Sequence, residues 1–260
     1  MKIEKILQKK NREKIICLTA YSFPVAKILD EICDIILVGD SLGMTIYGMK
    51  DTVDVTLEMM INHGLAVVRA AKKSLIVVDM PHGSYEKSDE WALENARRII
   101  EETSCDAIKI EVTPQLVSRV EFLVKNNINV MGHVGLLPQH VREIGGYKYQ
   151  GKDEKSAAEI LQTAKDIEKA GAFSLVIEAV PESLAAKISA EIKIPTIGIG
   201  ASGACDGQVL VIDDLVGLNQ EFTPKFVKKY ENLAERISAA ASAFSKDVKE
   251  KKFPGKENLV

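Results

Sequence analysis

The sequence predicts an α/β chain folded as a single (β/α)8 TIM barrel. Eight short runs rich in Val, Ile and Leu alternate with longer segments of helical period. Most of those runs are apolar without interruption, as parallel strands covered on both sides must be. The 260 residues, 46% of them hydrophobic, are enough for one large core. The expected organisation is one domain over 1–260, with a short N-terminal helix and a solvated tail from about residue 246.

In chain order the runs are "IICLTAY" from Ile15, "IILVGD" from Ile35, "LIVVDM" from Leu75, "AIKIEV" from Ala107, "INVMGHVG" from Ile128, "FSLVIEAV" from Phe173, "IPTIGIG" from Ile194 and "QVLVIDD" from Gln208. Helices are expected between them. "TLEMMINHGLAVVRAA" has helical period and contains His63, whose role is structural on this reading. "TPQLVSRVEFLVKN" opens with Thr113 as cap and Pro114 in the first turn, and "VPESLAAKI" repeats the device with Pro181. In "SAAEILQTAKDIEKAG", Ser156 and Glu159 have capping-box spacing and Gly171 sits where a C-terminal cap belongs. Two segments break the alternation. Residues 136–155, "LLPQHVREIGGYKYQGKDEK", read as a long polar loop after the fifth strand, a natural lid. "ASGACDG", between the seventh and eighth strands, is too short for a full helix.

Several function classes are disfavoured. A net charge of −3 with scattered Lys and Arg offers no field for nucleic acid. No apolar run approaches the roughly 20 residues of a membrane span, and the N-terminus is charged, so a cytoplasmic protein is expected. Cys17, Cys33, Cys105 and Cys205 form no CxxC pair and read as reduced packing residues. The four histidines lack HxH or HExxH spacing, against a zinc site. Gly198, Gly200 and Gly203 match GxGxxG, but a nucleotide-binding module would need a helix after them, and "CDGQVLV" leads into another strand.

In a parallel barrel the C-terminal strand ends share one face, where active sites are built. That face would carry Asp40, Asp79, Glu111, His133 and Glu178. Each alone could be a cap or turn residue. Together, four acids would raise one another's pKa unless a cation sat among them, and Mg²⁺, with its oxygen ligands and retained waters, is the simplest candidate. Lys109 and Glu111 are two apart in one strand and point to the same face; a shared pocket and a buried salt bridge are both open readings. His133 alone among the histidines lies at a strand end, as a catalytic or a satisfied buried imidazole; His82 and His140 lie in loops.

The segments "LTAYSFPVAKILD", "ILVGDSLGMTIYG", "HGLAVVRAA", "VVDMPHGSYE", "IKIEV", "VMGHVGLLPQHV", "GYKYQGK", "LVIEAVP" and "IPTIGIGA...CDGQVLVIDDLVGL", from about Leu18 to Phe253, resemble the ketopantoate (3-methyl-2-oxobutanoate) hydroxymethyltransferases. The resemblance implies a barrel of the phosphoenolpyruvate mutase and isocitrate lyase superfamily, acting in pantothenate and coenzyme A biosynthesis. It implies transfer of a hydroxymethyl group from 5,10-methylenetetrahydrofolate to 3-methyl-2-oxobutanoate, giving 2-dehydropantoate through a Mg²⁺-stabilised enolate. Carried over by motif, Asp40, Asp79 and Glu111 would hold one Mg²⁺ per subunit. Asp40, Ser41, Asp79 and Lys109 would contact the oxo acid, Glu178 would be the base, and His133 would support them. The family's assembly is a homodecamer of five dimers. A Mg²⁺-dependent C–C lyase of the same superfamily is the alternative, separated by its independence of folate. His82 stands where the family pattern has Phe, "MPFGSY", which bears on packing beside the metal. "GASGACDG" departs from "GAGPxCDG", which bears on the loop near the substrate.

Overall fold

A computed structural model of the chain describes residues 2–220 and 223–259. The chain divides into two compact units, Met1–Val211 and Ile212–Val260. The first holds all eight strands: β1 (Ile15–Thr19), β2 (Ile35–Val38), β3 (Leu75–Asp79), β4 (Ala107–Glu111), β5 (Val130–Gly135), β6 (Ser174–Glu178), β7 (Thr196–Ile199) and β8 (Gly207–Leu210). All pair in parallel with their sequence neighbours, and β8 pairs with β1, closing the barrel. Every apolar run that predicted a strand contains one.

The helices of this unit are α1 (Lys2–Gln8), α2 (Phe23–Leu29), α3 (Leu42–Thr45), α4 (Leu57–Ala70), α5 (Asp89–Thr103), α6 (Val117–Lys125), α7 (Val141–Ile144), α8 (Glu154–Lys169) and α9 (Glu182–Glu191). Local chemistry sets their ends. Thr56 caps α4 by accepting from the Met59 amide, and Ser88 caps α5 by accepting from Trp91. At α8 the capping residue is Asp153, accepting from the Ser156 amide, rather than Ser156. A carboxylate meets the positive helix end more favourably than a hydroxyl, and Ser156 Oγ instead donates to Asp153. Gly171 follows this helix at φ +94°, as a C-terminal cap residue should. Thr113 makes no side-chain cap, and Pro114 opens a single 3-10 turn, Pro114–Leu116, before α6. Pro181 occupies the cap position itself, ahead of α9. Between β7 and β8 there is no helix, so "GIGASG" lacks the element a dinucleotide site requires.

One face of every strand fills the barrel. Ile15 and Cys17, Ile35 and Leu37, Leu75 and Val77, Ala107, Met131, Val176, Ile197 and Val209 form one buried cluster. Only the interior of a closed barrel is common to eight strands, so these positions point inward. Ile6 of α1 joins the same cluster from the N-terminal end. The four cysteines are buried and free; burial raises the thiols of Cys33 and Cys105 to about 11, consistent with packing rather than reactivity.

The second unit contains α10 (Ile212–Leu215) and α11 (Leu233–Lys249). Asn232 caps α11 by accepting from the Glu235 amide, and none of its residues is buried. The segment expected as a tail from 246 begins inside this helix, and Phe253 packs edge-on against Phe244 at 5.3 Å.

Candidate active site

The period-2 pleat that points Leu75 and Val77 into the barrel points Asp79 there too. Ala107 sets the phase for Lys109 and Glu111, Met131 for His133, and Val176 for Glu178. The lower interior is therefore apolar and the C-terminal end charged, on the same strand faces. Register supplies the neighbours: Asp79 pairs with Lys109, Glu111 with His133, and Gly135 with Glu178. Asp40 lies beyond β2 and enters through a turn, its backbone N–H donating to Asp79 Oδ2 at 3.1 Å.

Lys109 is the electrostatic centre. Its Nζ lies 3.2 Å from Asp79 Oδ2 and 3.5 Å from His133 Nδ1. Burial disfavours the ammonium, but attraction by Asp79, Asp40 and Glu111 outweighs it and raises the lysine above its ordinary value. His133 responds oppositely: burial and then Lys109 hold it well below the usual range, so it is neutral. With Nδ1 facing an ammonium, that nitrogen accepts and the proton belongs on Nε2. His133 Nε2 lies 3.2 Å from Glu178 Oε2 but too far out of line to make a hydrogen bond.

Glu178 has a basicity that suits a base near neutral pH. Burial raises it to about 7 against the opposing pull of Lys109. Its placement depends on two backbone features. Ala179 has φ +45°, held by Ala179 N–H to Ile199 O and Gln150 N–H to Ala179 O, each 2.9 Å. Gly135 (φ +98°) passes so close that a Cβ there would lie 2.2 Å from the Glu178 carbonyl oxygen. Ser41 Oγ shares a 2.7 Å hydrogen bond with the Tyr21 hydroxyl at the same strand end.

The structure thus brings Asp40, Asp79, Lys109, Glu111, His133 and Glu178 to the C-terminal mouth, as their strand-end positions predict. It also adds a residue the sequence reading did not single out. Gln139, in a 3-10 turn (Pro138–His140) of the segment 136–155, donates from Nε2 to Asp40 Oδ2 at 2.8 Å and from its backbone N–H to Glu111 Oε2 at 3.1 Å. That segment is accordingly not a plain loop; the 3-10 turn and α7 lie within it. "PQH" was the available signal, but a lone glutamine in a polar stretch points nowhere until the chain closes. His82 packs edge-on against His140 at 6.0 Å, beside that turn. Asp206 of the GASGACDG motif lies at the opposite end, ahead of β8, bonded to the Thr196 and Asn11 amides and to Lys10. There it braces strand beginnings, because the helix-less connection descends from the top of β7 to the bottom of β8.

Four carboxylates face one ammonium here among the described residues. Burial raises Asp79 to about 7, with Lys109 opposing and Asp40 reinforcing, and Asp40 and Glu111 are raised as well, burial leading in each. Asp79 Oδ1 is buried without a partner. Hard oxygens with surplus negative charge suit a hard dication such as Mg²⁺. Among the described residues no group of three or more His, Cys, Asp or Glu is placed to hold a metal ion. The donor chemistry therefore fits a cation bound through one or two carboxylates with water and substrate completing its shell, which is how Mg²⁺ is usually held.

A closed parallel barrel with a near-neutral, largely enclosed base, a fixed ammonium and clustered acids at its C-terminal mouth defines a (β/α)8-barrel enzyme. The chain belongs to the ketopantoate hydroxymethyltransferase family, whose model matches residues 1–256, and it is a transferase enzyme. It is 54% identical over 253 residues to the 3-methyl-2-oxobutanoate hydroxymethyltransferase of Paramagnetospirillum magneticum, covering 97% of this chain and 92% of that one. The enzyme of the same name from Anaplasma marginale is 53% identical over 253 residues, covering 97% and 91%. Among solved structures, a phosphonopyruvate hydrolase in complex with oxalate and Mg²⁺ is similar with TM-score 0.62 at 10% identity, covering 100% of this chain and 92% of that one. A 2,3-dimethylmalate lyase, described as a phosphoenolpyruvate mutase/isocitrate lyase superfamily member, gives 0.61 at 13% identity, with coverage of 100% and 92%. These two likenesses are of fold. No helix among the described residues is long and apolar enough to cross a membrane.

Proposed function

We propose that the chain transfers the one-carbon unit of 5,10-methylenetetrahydrofolate to 3-methyl-2-oxobutanoate as a hydroxymethyl group, water supplying the hydroxyl oxygen and tetrahydrofolate leaving, and so forms 2-dehydropantoate by way of an enolate. The observation that carries this reading is Glu178: a carboxylate raised to about 7, in the same mouth as Lys109 and three further acids. A base of that strength can remove the C3 proton of an oxo acid near neutral pH without being permanently protonated. Lys109 supplies fixed positive charge for the substrate carboxylate, and Ser41, Asp40 and Asp79 fix its orientation. His133, neutral, supports the base from beside it, its Nε2 3.2 Å from Glu178 Oε2. One or two of the carboxylates of Asp40, Asp79 and Glu111 would hold a Mg²⁺, which when bound supplies Lewis acidity that weakens the C3–H bond. Seating the folate methylene above C3 lowers the entropic barrier to carbon–carbon bond formation. The same reading takes the barrel as the catalytic domain of a cytoplasmic enzyme assembled as five dimers.

The test is turnover of 3-methyl-2-oxobutanoate with and without methylenetetrahydrofolate and Mg²⁺, for the parent chain and Asp79→Ala. Folate- and Mg²⁺-dependent 2-dehydropantoate, reduced about 100-fold or more in a folded Asp79→Ala variant, is expected. Folate-independent cleavage of an oxo acid, or equal rates in both proteins, would overturn the reading.

A further inference from the structure

Gln139 is 2% exposed, and the bonds at its backbone N–H and carboxamide all lead to the mouth. Its Nε2 donates to Asp40 Oδ2 at 2.8 Å and to the Met80 carbonyl at 2.9 Å; its backbone N–H donates to Glu111 Oε2 at 3.1 Å. Its Oε1 accepts from the Tyr85 hydroxyl at 2.6 Å. Tyr85 is fully buried, and burial keeps its hydroxyl protonated by raising its pKa well above the ordinary value. With Oε1 committed to a hydroxyl donor, the amide has one orientation, and both Nε2 protons are directed to Asp40 and Met80. The stretch carrying Tyr85 is anchored in turn, since Asn95 of α5 donates to the Ser84 carbonyl at 2.8 Å. One residue after β5 thereby ties together groups following β2 and β3 and the last residue of β4. At the outer surface Arg142 of α7 pairs with Asp51 and Asp54, so the segment is fastened at both ends of its short helical turn.

We infer that Gln139 is a positioning residue: it holds one oxygen each of Asp40 and Glu111, so that both carboxylates face the mouth in fixed rotamers and bind a divalent cation in concert. The choice of amide follows from the charge balance. A carboxylate at 139 would add a fifth negative group, and an ammonium would compete with the cation, whereas a carboxamide donates without net charge. Seating of the segment after β5 and cation binding then share one residue, through its side chain at Asp40 and its backbone at Glu111, so each favours the other. This inference rests on the cation reading of the acids given above.

The experiment uses the full chain, its Gln139→Ala variant and its Tyr85→Phe variant, with Mn²⁺ titrated by calorimetry without substrate and crystal structures of parent and Gln139→Ala. Gln139→Ala is expected to weaken Mn²⁺ about 10- to 100-fold, as loss of an outer partner does. Its Asp40 carboxylate should leave its parent rotamer, while Glu111, held by the residue-139 backbone N–H that alanine keeps, should stay in place. Tyr85→Phe, which keeps shape and removes one hydrogen bond, should weaken Mn²⁺ about 2- to 10-fold. An unmoved Asp40 carboxylate in Gln139→Ala would sink the positioning role, as would a lower melting temperature with unchanged Mn²⁺ affinity. A parent chain that binds no Mn²⁺ would instead sink the cation reading.

Discussion

The two mouths of the barrel use the same side chains to opposite ends. At the N-terminal mouth, Asp30 accepts from the amides of Lys72, Lys73 and Ser74 at 2.7–2.9 Å. Asp206 accepts from the amides of Thr196 and Asn11 and from Lys10 Nζ, at 2.8, 2.9 and 2.8 Å. Burial alone would raise both, yet the hydrogen bonds prevail and lower them. At the C-terminal mouth burial prevails: Asp40, Asp79, Glu111 and Glu178 are all raised. Burial is common to the two ends; the number of donors per carboxylate is not. An acid satisfied by several donors is a brace, and an acid left short of them is a base or a ligand.

The sharpest way to break this contrast is to neutralise the base. Glu178→Gln should retain the fold and lose about 10²- to 10⁴-fold in turnover, read as kcat at saturating substrate. The parent's rate should also rise through pH of about 7, as Glu178 ionises, and this limb should vanish in the variant. Equal rates would place the base elsewhere. The converse change at the other mouth is Asp206→Ala. It strands Lys10 and the amides of Thr196 and Asn11, and should cost about 3–5 kcal/mol in calorimetric stability while activity per folded molecule is kept.

The smallest effect concerns the sign of pH dependence. Folding lowers Asp30 and Asp206, so their contribution is complete above the ordinary aspartate value of about 4 and is lost as acid protonates them in the folded state. Folding raises Glu178 from 4.5 to about 7, so its penalty grows between those values and persists above them. With metal removed by chelator, Glu178→Gln should therefore be more stable than the parent by about 1–3 kcal/mol at pH 8 and indistinguishable from it at pH 4. A variant equally destabilised at both pH values would show that Glu178 is a brace after all.

Much of this was legible before any fold was in hand. The eight strands, the absence of a helix between β7 and β8, and the inward phase shared by Lys109 and Glu111 all follow from local apolar period and strand pleat. So does the placement of the acids, because parallel strands bring all their C-terminal ends to one side. The family resemblance assigned roles to those positions but did not add to their geometry. What stayed illegible was non-local. Gln139 lies 99 residues from Asp40 and 28 from Glu111, and no propensity or spacing links them. The choice of Asp153 over Ser156 at α8 turned on which side chain reached a particular amide. "CDG" could not announce that it lay at the braced mouth, since that depends on where a helix-less connection returns.

By itself, then, the chain determined which residues become strands, which face of each strand is apolar, and that the interior faces of β3, β4, β5 and β6 end in an ionisable group. These are properties of period and hydrophobicity that act within a few residues. Tertiary closure decided which charges meet, how many donors each receives, and hence which acids are lowered and which are raised. Register between strands and the return path of each connection are collective quantities: they are fixed by packing the whole barrel at once, and no single segment carries them.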